Sequence, residues 1–90
     1  MPSLPETPTC VYRRYLVLRL FVEPDSLFLN EVETILSYIG FTFKGLRGQE
    51  TFDYKFEGPQ DELENSRELL DSLLLRHEVH GFADIEFSIE

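Results

Sequence analysis

The chain has 90 residues, of which 42% are hydrophobic and 28% charged, with eight Phe and four Tyr. That is globular composition with enough bulk for one small core, and it excludes a second domain or a large internal cavity. The net charge of -9 is uneven: residues 1–60 hold eight acids against six bases, residues 61–90 nine against two. Such a field disfavours nucleic acid and anionic lipid, both of which require clustered Lys and Arg.

Residues 1–11 read as a flexible tail, and residues 12–90 as a single domain. The tail spaces Pro2, Pro5 and Pro8 three apart, the period of a polyproline II helix, without the flanking arginine that a docking peptide of that kind carries. Cys10 is the only cysteine, so no internal disulfide is available and a reducing, cytoplasmic setting is favoured. Neither a basic-then-apolar leader nor an apolar run of membrane-spanning length is present.

From Tyr12 the character changes, and Y-L-V-L-R-L-F-V over residues 15–22 alternates as a strand. Leu16, Leu18, Leu20 and Val22 are expected on the core face, and Tyr15, Val17, Arg19 and Phe21 on the other. Glu23-Pro24-Asp25-Ser26 stops the strand, because proline cannot donate to a ladder and Asp or Ser readily caps a helix. Phe28, Val32, Ile35, Leu36 and Ile39 then form the stripe of an amphipathic helix. Asn30 and Glu33 have capping-box spacing, which predicts a regular helix that starts late, and Gly40 predicts a left-handed cap.

Two further alternating runs, F-T-F-K-G-L-R and T-F-D-Y-K-F-E, flank a short loop around Gly48 and read as a hairpin. Phe52, Tyr54 and Phe56 are expected inward, while Thr42, Lys44, Leu46, Asp53 and Lys55 are expected on the opposite face. Gly58-Pro59 opens a second helix with Asp61 and Glu62 at its positive end. Leu63, Leu70, Leu73 and Leu74 make its buried stripe, and Leu69 and Leu75 fall toward its flanks. Gly81 resets the chain, after which Ala83, Ile85 and Phe87 alternate with Asp84, Glu86 and Ser88 as a last strand.

Strand, helix, strand, strand, helix, strand with right-handed crossovers predicts an α+β fold, the ferredoxin-like βαββαβ plait: a four-stranded antiparallel sheet with both helices on one face. The face left open would carry Tyr15, Val17, Arg19 and Phe21, with Arg19 between acid-bearing neighbours. RNA-recognition modules of this topology stack bases on sheet aromatics, but Thr51, Asp53, Lys55 and Glu57 supply none on the third strand.

The two histidines, His77 and His80, stand in R-H-E-V-H-G at residues 76–81. His77 lies about 40° from the stripe of Leu63, Leu70 and Leu74 and in the last helical turn, where an imidazolium is favoured. As metal ligands the pair lacks the i, i+4 spacing and any third partner the sequence specifies. No phosphate-binding glycine loop or nucleophile elbow is present, so no cofactor is expected.

The turn Glu23-Pro24-Asp25-Ser26 after the first strand, together with the topology, resembles the amino-acid-sensing ACT domains. Their turn carries a glycine that this one lacks. That resemblance implies a small-molecule-sensing regulatory domain with Asp25, Ser26 and Asn30 near the ligand. The leading expectation is instead a small non-catalytic intracellular interaction module, which self-associates or binds another protein through Tyr15, Val17, Arg19 and Phe21 or through Leu69 and Leu75. A small metal-binding protein or enzyme using His77 and His80 is the third reading.

Overall fold

A computed structural model describes residues 12–89. The expected tail, with Pro2, Pro5, Pro8 and Cys10, lies outside the described residues. The elements are β1 (Tyr12–Leu20), α1 (Ser26–Ile39), β2 (Thr42–Arg47), β3 (Phe52–Glu57), α2 (Leu63–His77) and β4 (Gly81–Ile89), with a short 3-10 turn at Gln60–Glu62 leading into α2. The strands form one antiparallel sheet in the order β2-β3-β1-β4. No helix of the described residues is long and apolar enough to cross a membrane.

Alternation along β1 decides which side of the sheet is covered. Leu16, Leu18 and Leu20 are fully buried and stand in register with Phe56, Tyr54 and Phe52 on β3 and with Ile85, Ala83 and Gly81 on β4. They share one cluster with Phe28, Val32 and Leu36 of α1 and Leu63, Leu70, Leu73 and Leu74 of α2. Both helices therefore pack against the same sheet face. Each fully buried Leu or Phe contributes about 1.5–3 kcal/mol of transfer free energy, so this cluster is the main source of stability.

Local structure decides three places that residue pattern alone leaves open or misplaces. β1 stops at Leu20, and Val22, expected in the core, is half-exposed in the bend beyond it. α1 starts at the earlier of the two caps the sequence offers: Asp25 has extended backbone angles and its carboxylate accepts from the Phe28 N–H at 2.8 Å. The first-turn donors are thereby satisfied before Asn30 is reached, which leaves the predicted capping box inside the helix and exposed. Gly40 does close α1 in the left-handed conformation, with its N–H on Leu36 and Ser37 carbonyls and the Phe41 N–H on Leu36 at 2.8 Å.

The third difference changes a whole face. Between Phe43 and Gly45 the β2–β3 register shifts by a bulge at which Gly45 adopts φ 142°. Beyond it Leu46 stands opposite Tyr54, on the helix side, and Arg47 stands opposite Asp53, on the open side. Strict alternation had put Leu46 with Lys55; one inserted residue reverses that.

At the other end of α2 the left-handed cap is Glu78, φ 56°, and not a glycine. Its N–H reaches the Leu74 and Leu75 carbonyls, and Val79 folds back to pack against the core. A side chain with a Cβ pays roughly 1 kcal/mol in that region. Glu78→Gly is expected to raise the unfolding free energy by about 0.5–1 kcal/mol, read from the urea midpoint. An unchanged or lowered midpoint would mean that the cap is not held in this conformation.

Candidate interaction surface

The open side of the sheet is not a bare apolar strip. Tyr15 and Val17 are only 5% and 4% exposed, although they point away from the helices. β1 is central, so side chains of β3 and β4 close over them: the Lys55 ammonium sits 4.0 Å from the centre of the Tyr15 ring. Asp84 and Lys55 stand in register with Val17 on either side. Val17 also floors a depression of about 70 Å³ walled by Arg47, Asp53, Lys55 and Glu86.

Arg19 organises the charge on that side. Its Nε and Nη2 donate to Asp53 Oδ1 and Oδ2 at 3.1 and 3.0 Å, and Nη2 also reaches Glu86 Oε2 at 3.1 Å. The Asp53 hydrogen bond, aided by the charges of Asp53 and Glu86 and opposed by burial, raises the guanidinium further above its ordinary range. Burial alone would push the Asp53 carboxyl up, but hydrogen bonds from Arg19 and Thr51 and the Arg19 charge outweigh it and hold the group low. The middle of the open side is thus internally paired.

Its end is different. Phe21, 54% exposed just past β1, lies 6.0 Å from the ring of Phe82, with Arg19 5.8 Å over the latter. The Phe21 N–H donates to the His80 carbonyl at 2.9 Å, which ties this corner to the loop after α2. His80 also lines a cavity of about 320 Å³ with Leu74, Leu75, Glu78 and Val79. Leu75 is 82% exposed there, and Leu69 is half-buried farther up α2. Phe21 with Phe82 on the open side and Leu75 on the α2 side thus flank the His80 segment from two sides, whereas Tyr15, Val17 and Arg19 contribute no exposed apolar area beside it. Phe82 escaped the sequence reading because that strand was started at Ala83; one more step back along the alternation puts it beside Asp84 and Glu86.

The remaining candidates are spread apart. Asp25 is occupied as the α1 cap, with Ser26 and Asn30 exposed around it. His77 Nε2 lies 2.7 Å from Glu31 Oε1 and its ring stands edge-on to Phe28, centroids 5.4 Å apart, while Arg76 reaches the other Glu31 oxygen at 3.4 Å. His77 thus clasps α2 to α1, and His80 is exposed beyond the helix end. Among the described residues no three His, Cys, Asp or Glu side chains gather as a metal site. Comparison with known proteins finds no matching family model, no matching curated protein and no matching solved structure.

Proposed function

We propose that this chain is a small non-catalytic intracellular interaction module, built as a ferredoxin-like plait, in which two copies meet through the band of Phe21, Leu75, Val79 and Phe82 around His80. The strand order β2-β3-β1-β4 with both helices in one core supports that plait. The observation that carries the reading is the exposure of Phe21 and Leu75, 54% and 82%, on the two sides of the His80 segment, while Arg19 in the middle of the open side is already paired with Asp53 and Glu86. Apolar side chains clustered in this way are what a protein partner covers. A chain at -9 repels itself, so a contact between copies must be made chiefly by apolar side chains, and Glu78 is the one carboxylate lining the cavity beside Leu75.

Sedimentation velocity from low to high micromolar concentration tests this. The wild type is expected to shift to a dimer, more strongly in added salt because screening removes self-repulsion. Phe21→Glu or Leu75→Glu is expected to weaken association by about 100-fold or more, since a charge then has to be buried in the contact. A wild type that stays monomeric at all concentrations and salt levels ends the proposal.

A further inference from the structure

The opposite edge of the sheet carries a second surface, independent of the first. Two helices span four strands incompletely: α1 meets the start of β2 and leaves a groove of about 300 Å³ between them. Leu36, Phe41 and Phe56 form its floor, Phe43 is half-exposed at its side, and Glu33 and Ser37 stand at its lip. The β2 bulge lengthens the apolar tract, because it places Leu46, also half-exposed, in register with Tyr54 on this same side. The Phe43 and Tyr54 rings lie 6.1 Å apart, so the tract continues from Phe43 along β3.

The electrostatics around it are one-signed. Glu33 is the one charged residue lining the groove. The two nearby cations turn away: Lys44 pairs with Glu57 at 3.4 Å, and Arg47 stands opposite Asp53 on the other face. Burial chiefly, and then the charges of Glu23 and Glu33, push the Tyr54 hydroxyl up. The groove is at the small end of ligand-pocket volumes, a size for anchoring side chains rather than enclosing a whole metabolite.

We infer that the α1–β2 groove docks a cationic peptide segment of another protein, with one or two bulky apolar side chains seated over Phe56 and Leu46 and flanking Lys or Arg facing Glu33. Apolar anchors supply the affinity, and the acidic lip together with the overall charge of -9 selects the sign and speeds encounter.

The test is fluorescence anisotropy with dye-labelled peptides of about twelve residues: one of Lys and Leu at amphipathic spacing, one with Glu for Lys, one with Ser for Leu. Only the Lys/Leu peptide is expected to bind. Glu33→Lys and Glu68→Lys change the net charge equally, but Glu68 lies exposed on α2 away from the groove. Glu33→Lys and Leu46→Ser are expected to weaken binding by about 10-fold each, and Glu68→Lys by less than about 2-fold. Unchanged circular dichroism of each variant shows that folding is retained. Equal losses for Glu33→Lys and Glu68→Lys, equal binding of the three peptides, or no binding of the Lys/Leu peptide overturns the inference. Binding is expected to persist in Phe21→Glu, which keeps this result separate from that of self-association.

Discussion

Gly81→Ala is expected to lower the unfolding free energy by about 2–3 kcal/mol, and the melting temperature by roughly 10–20 °C. In most strands the same change is neutral or favourable, because alanine loses less backbone entropy on folding than glycine does. Here the added Cβ would sit 2.4 Å from the Arg19 carbonyl oxygen, 2.8 Å from Leu20 Cδ2 and 3.0 Å from Leu20 Cα. Gly81 stands opposite Leu20, the last β1 residue, and β1 is pinned on its other side by β3. Backbone cannot yield there without opening both ladders. The adjacent Phe21–His80 link and the Phe21–Phe82 pair would move too, so weakened self-association is expected to accompany the loss. Differential scanning calorimetry reads the effect directly, and an equal or higher melting temperature would contradict the packing described at this corner.

Arg19→Met is expected to cost about 2 kcal/mol at neutral pH, with a deficit that shrinks on acidification. The substitution keeps most of the aliphatic bulk but leaves Asp53, whose side chain is 15% exposed, with Thr51 as its remaining donor and with Glu86 no longer neutralised. Removing one partner of a well-buried pair costs more, roughly 3–5 kcal/mol; the 31% exposure of the Arg19 side chain reduces the figure. In the wild type Asp53 is held below its ordinary range, so its contribution to stability is complete above the unfolded carboxylate value, near pH 4, and is lost as pH falls through the lower folded value. In the variant, burial acts against the carboxylate with less opposition and the folded value rises. The gap between the two proteins is therefore widest where Asp53 is ionised in both and narrows on acidification, as Asp53 takes up its proton first in the variant and at lower pH in the wild type. Urea unfolding at several pH values measures the gap; one that is independent of pH would remove Asp53 as its cause.

Hydrophobic periodicity made most of the architecture legible. Leu16, Leu18 and Leu20 at period two, and Phe28, Val32 and Leu36 or Leu63, Leu70 and Leu74 at helical period, announce their buried faces because one wrong-facing Leu would lose its whole transfer free energy. What escaped was set by backbone details that a residue pattern encodes weakly. The Lys44–Gly45 bulge carries Leu46 to the helix side, although a glycine inside a strand is the usual mark of such a place. Glu78 in a left-handed cap offers no sequence signal at all, since glutamate rarely stands there. Of the two helix starts the sequence offers, Asp25 or Ser26 and the Asn30 capping box, the earlier one forms, because the Asp25 carboxylate following the extended proline turn is already aimed at the first helical N–H groups.

For the candidate surfaces the sequence showed which side chains share a face but not which are covered. Val17 and Tyr15 alternate with core leucines and so face outward, yet long polar neighbours on β3 and β4 bury them. That depends on cross-strand register, which Arg19 opposite Asp53 and Phe82 fixes and composition does not. The link between Phe21 and His80 likewise required knowing that the loop after α2 returns beside the end of β1.

The central claim is that copies meet through the corner around His80, and isotope-filtered NMR on a mixture of labelled and unlabelled protein tests it most directly. Intermolecular contacts from the rings of Phe21 and Phe82 and the methyls of Leu75 and Val79 are the predicted result. Contacts confined to other surfaces, such as the groove beside Leu46 or the paired middle of the sheet at Val17, or an absence of intermolecular contacts at high concentration, would contradict it.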